Sequence, residues 1–238
     1  MITPSCAIWP SSRDSGPGNL HAGTLDQAVK VRRTGGQVRR DEGFIVFHFT
    51  EIEEMQMIEV RFHGRGGQGA VVSSRVLANA FVREGKFGSA FPMFGFERRG
   101  APVTAYGRFD EKPILEKTQI YEPDCLIVLD PSQGETPRVY EGLKPNGVLI
   151  LNSPKELLAR PHENLTVAGV TDANRIAMEE IGMAAPNICM LGTFAGTTGW
   201  IQLDSILASL EDYFQGKNLE GNRRCAERGF KETKIIRF

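Results

Sequence analysis

Residues 57–84 read MIEVRFHGRGGQGAVVSSRVLANAFVRE, and the reading of this stretch decides the fold. Over 57–63, apolar and charged residues alternate with the period of two that a β-strand imposes. The stretch runs straight into Gly64-Arg65-Gly66-Gly67-Gln68-Gly69. Beyond it Val72, Val76, Leu77 and Ala80 fall at helical spacing and Gly85 stands where a helix C-cap belongs, so 70–84 is predicted helical. Strand, glycine-rich turn and helix in that order make a phosphate cradle, since glycine lets backbone approach a diphosphate and the amides of a helix start favour negative charge. A tight strand-to-helix turn without a ligand has the same pattern.

Downstream, 125–129 and 147–151 are short continuous apolar runs, each closed by a polar residue, Asp130 and Asn152. Runs of that kind suit strands covered on both faces. A further strand is predicted over 165–170, with Thr171-Asp172 capping a helix over 173–181. Helices are predicted over 187–199 and 204–214, the second with Ile206, Leu207, Leu210 and Phe214 on one face. Residues 103–109 and 114–116 flank Asp110-Glu111-Lys112-Pro113 and predict a hairpin. Strands alternating with helices give an α/β fold class, a three-layer α/β/α domain around a central, largely parallel sheet.

Upstream, residues 1–56 differ in character. They carry Pro, Ser and Gly clusters and a basic patch over 30–40, and they show no sustained periodicity. Such composition offsets chain entropy poorly, so 1–56 is expected to be a poorly ordered extension and 57–238 the folded domain. The purine-rich codons of Glu53 and Glu54 just ahead of Met55 and Met57 suggest that translation starts at one of those methionines.

Composition excludes several classes. Lys and Arg total 28 against 29 Asp and Glu, a net charge of -1, which argues against nucleic acid or an anionic membrane as partner. Apolar runs such as 126–129 fall far short of the roughly 20 residues of a membrane helix, and no secretory leader is evident, so a cytoplasmic location is expected. Cys6, Cys125, Cys189 and Cys225 are too far apart for zinc or cluster ligation and are expected to be small hydrophobes. No nucleophile–base pair or carboxylate dyad stands out.

A nicotinamide site would place an acidic residue about 20 positions beyond the glycine turn. The window 85–96 contains none, so a phosphate-bearing ligand other than NAD is favoured. Glu97-Arg98-Arg99, just after an aromatic stretch, offers guanidinium forks suited to phosphate or carboxylate, or else a surface ion pair. His63, Asp130-Pro131-Ser132 and Asn152-Ser153 end predicted strands, where α/β ligands collect and where ordinary polar turns also occur.

Several stretches together carry a resemblance. GRGGQG with Leu77-Ala78-Asn79-Ala80, PMFGFERRGAPV at 92–103, YEPDCLIVLDPS at 121–132, IAMEEIG at 176–182 and NICMLGTFAG at 187–196 resemble the gamma subunits of 2-oxoacid:ferredoxin oxidoreductases, the pyruvate/ketoisovalerate group in particular. The resemblance implies a subunit that acts only in complex with alpha, beta and delta subunits and ferredoxin. That complex converts pyruvate and coenzyme A to acetyl-CoA and carbon dioxide. Thiamine diphosphate, Mg and iron–sulfur clusters would lie in the partners, and coenzyme A would be a ligand shared with this chain. It further implies Gly64, Gly66, Gly67, Gln68 and Gly69 as the phosphate-facing loop. Glu97, Arg98 and Arg99 would contact coenzyme A or a neighbouring subunit. No residue of this chain is implied as catalytic or metal-binding. The rival readings are a stand-alone nucleotide-binding oxidoreductase and a purely structural assembly subunit.

The start site is checked by the intact mass of the protein isolated from its own host. A product beginning at Met55 or Met57 is expected, and a full 238-residue species overturns the expectation.

Overall fold

The computed structural model describes residues 57–93 and 100–238, with the strand positions Arg40, Asp41, Phe44 and Ile45. The chain divides into units Met1–Ile52 and Glu53–Phe238. In the first, β1 (Arg40–Asp41) pairs antiparallel with β2 (Phe44–Ile45). The expectations for the rest of 1–56, Cys6 and the basic patch among them, lie outside the described residues.

In the second unit, β3 (Ile58–Arg65) leads through the glycine turn into α1 (Ala70–Arg83), followed by β4 (Phe87–Pro92) and β5 (Pro102–Asp110). Then come β6 (Cys125–Val128), the one-turn α2 (Pro131–Gly134), β7 (Gly147–Asn152) and β8 (Leu165–Thr171). The chain closes with α3 (Ala173–Ile181), α4 (Asn187–Thr198), α5 (Leu203–Ser209), α6 (Gly216–Glu232) and β9 (Lys234–Arg237).

The seven strands of this sheet order as β4-β5-β3-β6-β7-β8-β9. β3, β6, β7 and β8 form the parallel core, while β4, β5 and β9 join through antiparallel ladders at the two margins. The apolar runs behave as a doubly covered strand requires. In β6 and β7, Cys125, Ile127, Val148 and Ile150 face the larger core beneath α1, α3, α4, α5 and α6. Leu126, Val128, Leu149 and Leu151 face the opposite cluster, under the 3-10 turn Pro137–Tyr140 and Leu143. The three layers are therefore present, with one helical layer much the thicker.

Three expectations change. The hairpin over 103–116 does not form: β5 pairs with β3 and β4, and Leu115 is 91% exposed. The six residues of β4 give β5 a longer partner, with Phe91 against Tyr106 at 5.3 Å and the Arg108 guanidinium 5.6 Å from the Phe91 ring. Within the predicted helix 204–214, regular α-helix ends at Ser209 and a 3-10 turn, Leu210–Asp212, continues it. Val72, predicted on the apolar face of α1, is exposed, whereas Val76, Leu77 and Ala80 are buried.

α6 and β9 were not foreseen. α6 docks on α4 because both carry glycine at the crossing: a Cβ at Gly192 would overlap the Ala226 carbonyl, and one at Gly229 would overlap that of Cys189. This close approach predicts an order of damage. Gly192→Ala should cost about 2–3 kcal/mol, the cost of overpacking a fixed backbone contact. Gly199→Ala, left-handed at φ 64° with nothing near its Cβ, should cost only about 1 kcal/mol. Urea unfolding of the three proteins checks the order, and equal losses would refute it.

Candidate functional site

The glycine turn sits at the C-terminal end of the parallel strands, where β3 and β6 lie side by side. β3 reaches further than the alternation alone indicates, so Gly64 and Arg65 belong to the strand and 66–69 make the turn. Gly64 is closed in by Gln68 Oε1 and the Leu129 side chain, each 3.3 Å from where its Cβ would stand. Gly67 (φ 101°) and Gly69 (φ 82°) take left-handed backbone that glycine adopts without strain, and Gly69 is the N-cap of α1. Gly66 N–H donates to the Ala101 carbonyl at 2.9 Å, and Gly100 N–H returns a bond to Gly66 at 3.2 Å. Among the described residues, the amides of Gly67 and Gly69 have no acceptor.

Gln68 spends its side chain inside the protein. Its Oε1 accepts from Arg65 N–H at 2.7 Å, and its Nε2 donates to Asp130 Oδ2 at 3.0 Å. Arg65 Nε lies 3.2 Å from the same Asp130 oxygen, while its terminal nitrogens donate to the Ser132 hydroxyl and the Gly100 carbonyl. Asp130 also caps α2 through Ser132 N–H. Burial alone would raise the Asp130 pKa, but hydrogen bonds from Ser132 and Gln68 and the charge of Arg65 hold it below the usual carboxylate value. Two motifs read separately in the sequence, the glycine turn and Asp130-Pro131-Ser132, thus form one network.

The neighbouring strand ends are structural. Asn152 is fully buried, donating to the Leu129 carbonyl at 2.7 Å and accepting from Ala173 N–H at 3.0 Å. His63 Nε2 accepts from Arg61 Nε at 3.0 Å. Burial first, and the Arg61 charge second, push the His63 pKa down to about 3, so the ring is neutral. Arg61 itself was not anticipated: only 8% exposed, it donates to the carbonyls of Ile120, Tyr121, Val139 and Glu141. Glu97, Arg98 and Arg99 lie outside the described residues.

A cavity of about 230 Å³ opens beside the turn. It lies between the starts of α1 and α4 and one side of α6, and Gly67, Gly69, Asn187, Phe214 and Asn222 are among its lining residues. Among the described residues, no group of three or more His, Cys, Asp or Glu is placed to hold a metal, and no helix is long and apolar enough to cross a membrane. Cys125, Cys189 and Cys225 are buried and unpaired, as expected of small hydrophobes.

Comparison with known proteins places this geometry. Residues 59–232 match the family pyruvate ferredoxin/flavodoxin oxidoreductase. The chain is 48% identical over 183 residues to the pyruvate/ketoisovalerate oxidoreductases common subunit gamma of Pyrococcus abyssi, covering 76% of this chain and 99% of that one. It is 46% identical to the pyruvate synthase subunit PorC of Methanocaldococcus jannaschii, over 74% of this chain and 97% of that one. Among solved structures it resembles pyruvate oxidoreductase subunit PORC of Thermotoga maritima, with TM-score 0.66 and 33% identity over 75% of this chain and 98% of the other.

The Asp130 network carries a pH signature. A carboxylate whose pKa is lowered by folding adds stability above its unfolded value, about 3.9, and loses it as pH falls through the folded value. Asp130→Asn should therefore cost about 1 kcal/mol at neutral pH, a figure that allows for the exposed Arg65, and progressively less toward pH 3. Urea unfolding of both proteins at several pH values is the check, and a deficit that persists undiminished in acid would refute it.

Proposed function

The chain belongs to the pyruvate ferredoxin/flavodoxin oxidoreductase family, and on that premise we propose that it is the gamma subunit of a pyruvate-type 2-oxoacid:ferredoxin oxidoreductase that helps bind coenzyme A. The oxidoreductase reading is carried by near full-length similarity to subunits named for pyruvate oxidation and synthesis. In this reading alpha, beta and delta subunits hold thiamine diphosphate, Mg and the clusters, ferredoxin meets the complex, and the assembly works in the cytoplasm. Thiamine diphosphate supplies the electron sink for the carbon–carbon cleavage. The residues of this chain orient the second substrate. Fixing a thiol carrier against its target turns an encounter into an effectively intramolecular step.

The observation behind the coenzyme A role is the pair of unpartnered amides at Gly67 and Gly69, ahead of the uncapped start of α1. Anions are favoured at such a helix start. Gly64, Gly66 and Gln68 build the turn behind those amides, and Glu97, Arg98 and Arg99 are proposed to meet coenzyme A or a neighbouring subunit. A stand-alone nicotinamide enzyme fits poorly. The strand after α1, β4, is an outer strand of the sheet separated from β3 by β5, not a parallel neighbour whose end would meet a ribose. The purely structural reading is favoured by one observation, that Gln68 and Arg65 are spent on Asp130.

The two readings separate in the purified complex. Gly67 has nothing within 4 Å of its Cβ position, so Gly67→Glu brings a carboxylate to the turn without a clash, at the cost of its left-handed φ. Gly67→Glu and Arg98→Ala should each raise the KM for coenzyme A by about tenfold while oxoacid decarboxylation persists. Altered complex yield with an unchanged KM for coenzyme A would leave the structural reading. Isolation of the chain from its host should bring down partners carrying thiamine diphosphate and iron–sulfur clusters, and a chain that comes down alone would overturn the assignment.

A further inference from the structure

The seven-stranded sheet ends in two outer strands whose sequences differ in kind. β9 has four residues, carries Lys234 and Arg237, and ties Lys234 to Glu156. A short, charged strand of that sort keeps a sheet edge from pairing. β4 has six residues, Phe87-Gly88-Ser89-Ala90-Phe91-Pro92, and none is charged. β5 pairs with it on one side, and among the described residues no strand lies on the other. An uncharged outer strand of this length is a template for a further strand.

The ladder to β5 fixes which backbone groups face outward. Met93 N–H donates to the Thr104 carbonyl at 3.0 Å, and the same register sets Phe91 against Tyr106 and Ser89 against Arg108. Alternate residues of an antiparallel strand turn their N–H and C=O to the same side. Phe87, Ser89 and Phe91 therefore bond β5, while Gly88, Ala90 and Pro92 direct their backbone groups outward. Pro92 has no N–H to leave unpaired there. The outward donors are the amides of Gly88 and Ala90. Side chains sort with the same period. Gly88 and Ala90 lie on the α1 side: a Cβ at Gly88 would overlap the Ala78 carbonyl, and Ala90 packs on the larger core. Phe87, Ser89 and Phe91 lie on the opposite face with Tyr106, and Phe87 is 43% exposed.

We infer that the outer edge of β4 pairs antiparallel with β4 of a second copy of this chain, about a two-fold axis through Ser89. The strand is self-complementary in that register. Gly88 of one copy exchanges N–H···O=C bonds with Ala90 of the other, so both outward amides of each copy are met. Phe87 of one copy stands across from Phe91 of the other, an aromatic cross-strand pair on the face away from α1. The small residues Gly88 and Ala90 meet on the α1 side, and Ser89 faces its own counterpart. Moving the axis to Ala90 sets Pro92 against Gly88 and leaves the Gly88 carbonyl without a donor. Two like strands paired about a two-fold close on themselves, so the assembly stops at two copies. The inference stands apart from the coenzyme A reading and does not rest on it.

The test is sedimentation equilibrium of the purified full-length chain at micromolar concentration, where a dimer is expected. Ala90→Pro removes an outward N–H and no bond to β5, and Phe87→Lys brings a charge to the pairing edge from an exposed position. Each should raise the dimer dissociation constant by about tenfold or more while the circular dichroism stays that of the wild type. Phe87→Lys keeps the test open should Ala90→Pro fail to fold. Cross-linking reads the register. In a Cys6→Ala background, Ser89→Cys should form a disulfide-linked dimer with oxidised glutathione, two thiols becoming one disulfide as glutathione disulfide becomes two thiols. Leu158→Cys, exposed on a loop, should not, and Cys125, Cys189 and Cys225 are buried. A monomeric wild-type chain, or a dimer that both folded variants leave unchanged, overturns the inference. A Ser89→Cys cross-link to a different subunit in the assembled oxidoreductase also overturns it, and assigns the edge to that subunit.

Discussion

The cover over the thinner side of the sheet depends on one buried cation. Arg61 leaves β3 on the face opposite α1 and ends among four carbonyls, with the Glu141 bond shortest at 2.7 Å and Val139 at 2.9 Å. A charge withdrawn from water costs several kcal/mol unless its hydrogen-bonding capacity is met, and here carbonyl dipoles meet it. Those carbonyls belong to a loop, 120–121, and to the end of the 3-10 turn with the residue after it, 139–141. Satisfying the guanidinium therefore fixes the approach to β6 and the route from α2 toward β7. It also fixes His63, whose ring takes the remaining Nε–H and stays neutral beside the charge.

The alternation over 57–63 correctly marks a strand. Ordinarily its charged half would be the wet face, but Glu59 and Arg61 are enclosed by side-chain and carbonyl partners, Glu59 by Arg108 of β5. What period-two patterning conveys is which residues share a face, and not whether that face meets water. The apolar runs of β6 and β7 were unambiguous for the opposite reason, since continuous Val, Leu and Ile need cover on both sides. The bounds of α3 were legible because Asp172 caps it from the sequence and Gly182 ends it in left-handed backbone. α6 was illegible because Gly221 and Gly229 read as breakers, while their function is close packing against α3 and α4. A polar, glycine-interrupted helix is stabilised by its neighbours and not by its own propensities.

The candidate site divides the same way. Its turn is local chemistry, so glycine spacing announces it. The groups that hold the turn are distant in sequence: Gln68 and Asp130 are separated by 62 positions, and nothing in either neighbourhood marks the pair. Asn187 is hidden for another reason. As a residue it looks like an ordinary polar helix start, and only the fold reveals that its side chain lies against Gly69.

Spent and unspent groups together give the site its character. Gln68, Arg65, Asp130 and Ser132 bond one another, so the turn is ordered before any ligand arrives and binding does not have to immobilise it. Order established at folding spares a ligand the entropy of fixing a loop. Among the described residues the amides of Gly67 and Gly69 have no acceptor, and both residues border the same cavity. The frame and the open amides lie at one place, the C-terminal end of the parallel strands beside the start of α1.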